Sequence, residues 1–129
     1  LFTEVPGSSE YYLGSVTSYA NSVKTGVLGV EPEIIERHGA VSSECVARMA
    51  EGVRRLTGSD FSVATSGIAG PGGGSDTKPV GLVWIGVSSA EGTETICKTF
   101  RGDRKRNIER FAASALDTLR KKIKKELNC

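Results

Sequence analysis

The chain contains one histidine among 129 residues, and that scarcity narrows its chemistry more than anything it has in quantity. A lone His38 excludes a multi-histidine metal centre and allows a Ser-His-Asp triad only through itself. Cysteine is nearly as scarce. Cys45, Cys97 and Cys129 are odd in number, have no C-x-x-C spacing and lie in three unlike segments, so they read as reduced thiols rather than a disulfide framework. Cys45 falls in a helical apolar pattern, Cys97 in a strand pattern and Cys129 at the terminus, where packing is favoured over a nucleophilic or metal role. No run approaches the about eighteen apolar residues of a membrane span, and no charged, apolar, small-residue order opens the chain as a signal peptide would. A cytoplasmic protein without a membrane segment is the expectation. Repeats, linkers and low-complexity tracts are also missing, and 38% hydrophobic with 25% charged residues suits one globular domain, residues 1–129.

Charge is present but uneven. The net value of +2 combines 6 basic and 11 acidic side chains in residues 1–97 with 11 basic and 4 acidic ones in 98–129. The run "RKKIKKE", Arg120 to Glu126, has no interleaved aromatics and ends an amphipathic pattern, where cations suit the negative end of the helix dipole. A solvated helix end is therefore preferred to a nucleic-acid contact.

Short β-branched and aromatic runs predict strands at Phe61–Ala64 and Leu82–Ser88. "TETICKTF", Thr93 to Phe100, follows the turn signal Glu91-Gly92 and supplies a hairpin partner. Val41, Cys45, Met49, Val53 and Leu56 recur at helical spacing behind the N-cap candidate Ser42, and Gly58 supplies a stop. A longer stripe, Ile108, Phe111, Ala112, Ala115, Leu116, Leu119, Ile123 and Leu127, predicts a last helix capped by Asp103. Shorter helices are expected from Ser22 to Leu28 and from Pro32 to Arg37. This alternation predicts an α/β fold, a three-layer α/β/α domain with helices on both faces of a mixed sheet.

Three segments can carry chemistry. "SGIAGPGGGSDTKPVG", Ser66 to Gly81, is a glycine-rich loop after a strand. It reads equally as a flexible connection or as a cradle whose backbone N–H groups meet a phosphate or oxyanion. Lys78 is followed by Pro79, which excludes a Walker P-loop. "RGDRKRNIER", Arg101 to Arg110, sets guanidinium groups around the start of the last helix, either as surface charge paired with Asp103 and Glu109 or as anion contacts. "VPGSSEYYLGSVTSYANSVK", Val5 to Lys24, holds Ser8 and Ser9 in a turn, a possible strand from Ser15 to Tyr19, and Lys24 three residues after the cap candidate Asn21. A lysine activates a serine only when neutral, and a first-turn position at the positive end of the dipole disfavours the ammonium form. On residue chemistry alone this stretch reads as a structural turn with a solvated lysine, or as a serine and lysine pair.

Four segments in order, "TEVPGSSEYYLGSVTSYANSVKTGVLGV", "ERHGAVSSECVARMAEGVR", "SGIAGPGGGSDTKPVGLVWIGV" and "FRGDRKRNIERFA", resemble the C-terminal domain of the CinA family, the nicotinamide mononucleotide deamidases. The resemblance runs from Thr3 to about Leu119. It implies a metal-independent, cofactor-free amidohydrolase that converts nicotinamide mononucleotide and water to nicotinate mononucleotide and ammonia, commonly as a homo-oligomer. It implies Ser9 as nucleophile, with Ser8 the alternative in the same motif, Lys24 as general base and Tyr19 as a supporting hydroxyl. Substrate contacts are implied at Ser8, Asn21, Ser66, Gly67, Gly70 and Arg104. Family members carry a strand and "ESCTGG" upstream of the position of Leu1, and nothing in these residues matches it. The second expectation, from another class, is a non-catalytic nucleotide-binding module of the competence/damage-inducible type.

Overall fold

The computed structural model describes residues 2–127. Cys129 and Leu1, both part of the sequence reading, lie outside the described residues. Helices α1 (Asn21–Gly26), α2 (Pro32–His38) and α3 (Ser43–Thr57) precede strands β1 (Phe61–Gly67), β2 (Leu82–Ser89) and β3 (Gly92–Thr99), and α4 (Arg104–Leu127) closes the chain.

The strands form one sheet in the order β1-β2-β3. Both pairings are antiparallel, with Val63 opposite Val87 and Ile85 opposite Ile96. The expected mixed sheet is thus an antiparallel one among the described residues, because β2 joins β3 through a tight hairpin and returns to β1 through the glycine-rich loop. A strand's side chains alternate between faces, and the two faces are used differently. Val83, Ile85 and Val87 form a core with Phe111 and Ala115 of α4. On the other face, a Cβ at Gly86 would stand 2.7 Å from the Val46 carbonyl oxygen of α3, and Ser62 Oγ donates to Ala50 O at 2.6 Å. Helices therefore cover both faces, as the sequence pattern predicts.

α3 begins and ends where expected. Ser42 Oγ accepts from the Cys45 N–H at 3.1 Å, and Gly58 stops the helix in the left-handed conformation at φ 70°. Leu28, Val30, Cys45 and Met49 make a second core beneath α3. Leu56, Ile108 and Leu127, predicted as stripe members, are exposed instead. The stripes are buried in their middles and exposed at these end positions. Asp103 caps α4 as predicted, its Oδ1 accepting from the Arg106 N–H at 2.9 Å. Pro32 opens α2, which runs one residue beyond the expected Arg37.

Three details differ at the start of the chain. Residues 12–19 form no strand, and their backbone makes no ladder with another segment among the described residues. α1 starts at Asn21 rather than Ser22 and ends at Gly26, short of Leu28. Its N-cap is Ala20, without a side-chain cap bond, so Asn21 is the first helical residue and not the cap.

Candidate functional site

The glycine-rich loop leaves the sheet at Gly67, where a Cβ would meet Phe111 Cε2 at 2.7 Å and Leu82 O at 2.8 Å. Only glycine lets the strand pass so close to α4. The loop is closed at its base by Ile68 N–H to Leu82 O at 2.9 Å and Gly81 N–H to Ile68 O at 2.7 Å. Three side chains then pin it, two from α4 and one, Lys78, from the loop itself. Asn107 Nδ2 donates to Ala69 O at 2.9 Å, Arg104 Nη1 donates to Gly70 O at 2.8 Å, and Lys78 Nζ donates to the carbonyl of His38 at the end of α2. The loop is thus held at its base and at Ala69 and Gly70. Among the described residues, the N–H groups of Gly70, Gly72, Gly73 and Gly74 have no hydrogen-bond acceptor, so these donors are available to an anion.

Lys24 is the other distinctive group. It is buried, with 7% of its surface exposed, and its ammonium donates to Ser18 O at 2.7 Å. No carboxylate lies within ion-pair distance of it among the described residues. A solvated lysine is excluded. The dipole argument also changes, because the six-residue α1 is so short that Lys24 lies in its last turn, not its first. Burial pushes the Cys45 thiol up from its ordinary value, while the charges of Lys24 and Lys78 act the other way. Both ammonium groups are thus gathered around the start of α3.

The predicted nucleophiles are placed differently. Ser8 and Ser9 lie in a short 3-10 turn, Ser8–Glu10, with Ser8 buried at 8% exposure and Ser9 exposed. The Ser9 hydroxyl makes no hydrogen bond to Lys24 or to any other described residue. Tyr19 is 86% exposed and does not stand against Lys24's donor. Asn21 is exposed at the start of α1. Ser66 is half-buried on β1, opposite Trp84, and by alternation shares the α3 face with Ser62. Gly67, Gly70 and Arg104 are brought together at the loop, whereas Ser9 and Lys24 are not joined to each other.

Sequence reasoning missed Asn107 and the long reach of Lys78 to His38. The only signal for Asn107 was a polar residue one place before the apolar stripe of α4. The His38 imidazole stands 3.8 Å from Glu44 at the surface. No group of three or more His, Cys, Asp or Glu side chains is placed to hold a metal ion among the described residues. A cleft of about 730 Å³ lined by Arg54, Arg55, Asp60 and Thr93 lies at the opposite end of the sheet and contains none of the predicted site residues. No described helix is long and apolar enough to cross a membrane.

Known proteins resemble the chain in sequence and in fold. The chain is 54% identical over 125 residues to a CinA-like protein of Desulfosudis oleivorans, covering 95% of the chain and 30% of that protein. It is 48% identical over 122 residues to a CinA-like protein of Fervidobacterium nodosum, again covering 30% of it. The chain therefore spans about 30% of the length of these curated relatives. The crystal structure of the competence damage-inducible protein A (ComA) from Klebsiella pneumoniae superposes with a TM-score of 0.90 at 34% identity, over 95% of this chain and 76% of that one. The competence/damage inducible protein CihA from Agrobacterium tumefaciens gives 0.80 at 38% identity, over 91% and 72%. Residues 1–123 match the family described as the CinA C-terminal domain. The chain belongs to the CinA C-terminal domain family.

Proposed function

We propose that the domain is an amidohydrolase that converts nicotinamide mononucleotide and water to nicotinate mononucleotide and ammonia. The observation that carries the reading is Lys24, a buried amine fixed by one main-chain carbonyl and by no carboxylate. A proton acceptor needs a fixed position and freedom from a permanent counter-charge. The family resemblance supplies the substrate, and the loop donors with Arg104 supply a place for its phosphate.

In this reading neutral Lys24 takes the proton of Ser9 as the serine oxygen bonds to the carboxamide carbon. The carbonyl electron pair moves to oxygen, where backbone N–H donors stabilise it by about 3 kcal/mol each. Collapse breaks the C–N bond, and the Lys24 ammonium gives its proton to the departing ammonia. Water, deprotonated by the same amine, then attacks the acyl-enzyme, and the ester C–O bond breaks as the Lys24 ammonium returns that proton to Ser9 Oγ, releasing nicotinate mononucleotide. Phosphate binding at the loop orients the remote amide. The reaction needs no metal or cofactor in this scheme, and a homo-oligomer is the proposed working form. Ammonia release by purified protein is the test, and equal turnover by the parent, Ser9→Ala and Lys24→Met would rule the assignment out.

A second reading, a nucleotide-binding module without catalysis, is favoured by one observation: Ser9 is exposed and not joined to Lys24. Calorimetric binding of nicotinamide mononucleotide with no ammonia released would support it.

A further inference from the structure

We propose that Asn107 is the positioning residue of the glycine-rich loop, its carboxamide setting the direction in which the loop's backbone donors face an anionic ligand. The identity of that ligand rests on the deamidase reading; the geometry does not.

Asn107 is fully buried in the first turn of α4. Its Nδ2 donates to Ala69 O at 2.9 Å and to Gly102 O at 3.1 Å, and its own N–H to Asp103 O at 2.9 Å. One residue further along the loop, Gly70 O accepts from Arg104 Nη1 at 2.8 Å. Two successive loop carbonyls therefore point at α4. In a trans peptide unit the carbonyl and the N–H point in opposite directions. Holding the Ala69 carbonyl on Asn107 thus turns the Gly70 N–H away from α4. That N–H and those of Gly72, Gly73 and Gly74 are the donors left without acceptors among the described residues. Arg104 commits one nitrogen of its fork to Gly70 and keeps the others for an oxyanion.

Asn107 spends both side-chain donors on carbonyls and leaves its own Oδ1 buried without a partner. A structural spacer would have no use for that unmatched oxygen. An alanine there removes the oxygen and releases both carbonyls at once, so it perturbs positioning and packing together. Gly102 offers a gentler perturbation, because a Cβ on it would stand 3.3 Å from Asn107 Oδ1, Arg106 Cβ and Arg110 Nη1.

The test titrates inorganic phosphate and, separately, nicotinamide mononucleotide into ¹⁵N-labelled parent protein, Asn107→Ala and Gly102→Ala, following the Gly70, Gly72, Gly73 and Gly74 amides, with ammonia release measured alongside. In the parent the Gly70 amide should respond to phosphate. Asn107→Ala should weaken phosphate binding about tenfold, the loss of one positioned hydrogen bond, and raise KM by a similar factor while kcat changes less than threefold. Gly102→Ala should move the same amides in the same direction, and it carries the test if Asn107→Ala fails to fold. Equal phosphate responses in parent and variants, or a parent Gly70 amide indifferent to phosphate, would overturn the proposal. A parent that releases no ammonia yet shows phosphate binding dependent on Asn107 would sink the deamidase reading and leave the positioning role standing.

Discussion

Lys122 Nζ lies 2.8 Å from Glu126 Oε2 one turn along α4, with the lysine side chain only 4% exposed. The same carboxylate oxygen accepts from Ser89 Oγ at 2.8 Å, and Lys122 also stands 3.6 Å from Glu94. The end of the helix is fastened in this way to the β2–β3 hairpin. The Lys122 hydrogen bond holds Glu126 below the ordinary carboxylate range. The hydrogen bond to Glu126, with the repulsion of its charge, lifts Glu91 above that range.

The pH dependence follows from those directions. A depressed carboxylate contributes stability above its unfolded pKa and loses it as pH falls through its lower folded value. The Glu126 contribution is therefore present at neutral pH and disappears below the ordinary carboxylate range. Glu91 works oppositely: its contribution is present in acid and is lost as pH rises through its raised value. Thermal melts taken down the acid limb should fall less steeply for Glu126→Gln than for the parent protein. Parallel curves would contradict the assignment.

Lys24 and the two serines give a sharper contrast. Lys24→Met should keep the fold, since the methionine stem fills most of the lysine's volume, and should lower ammonia release by at least about 10²-fold. Ser9→Ala should lose turnover with an unchanged melting temperature. Ser8→Ala should show its main effect in the melting temperature, because Ser8 is the buried one of the pair.

Two close approaches to α3, one by the chain after α1 and one by the sheet, are made at glycines that cannot be enlarged. A Cβ at Gly52 would stand 1.9 Å from Leu28 O, and one at Gly86 would stand 2.7 Å from Val46 O. Each Gly→Ala change should destabilise by about 1–3 kcal/mol, with Gly52→Ala the worse because its Cβ would stand closer to a main-chain oxygen, and at both sites only main-chain atoms can yield. Urea unfolding monitored by circular dichroism measures both.

Thiol reactivity should separate two cysteines. Cys45 is buried and its thiol is pushed up by that burial, whereas Cys97 is exposed on β3. A maleimide followed by peptide mass analysis should label Cys97 in the native protein and Cys45 only after unfolding.

Much of this fold is legible without coordinates. Ser42, Gly58, Asp103 and Pro32 act where their chemistry places them, because caps, stops and helix starts are made within a few residues of the side chain. The hairpin at Glu91-Gly92 is local in the same sense. The alternation of strands and helices was enough for the layered architecture, but not for strand direction, which depends on where the loop after β1 delivers the chain.

The site was legible only by resemblance, and incompletely. The order of the four segments points to Lys24, the glycine-rich loop and Arg104, yet whether Lys24 is solvated or buried could not be read from Asn21-Ser-Val-Lys24, since burial depends on how distant parts of the chain fold around it. Asn107 looked like one polar residue in a charged run, and it becomes a buried bracket only because α4 docks where Ala69 passes.

The sequence by itself determined α2, α3, α4 and the three sheet strands, the caps at Ser42 and Asp103, and the family, all of which are encoded in spacing and short-range chemistry. Tertiary structure alone decided which polar groups left water: Lys24 onto Ser18, Asn107 onto Ala69 and Lys122 onto Glu126. The last pair is a single turn apart and could be proposed from spacing, but its burial could not. Desolvation is set by what the rest of the chain stacks against a residue, and a one-dimensional pattern does not contain that.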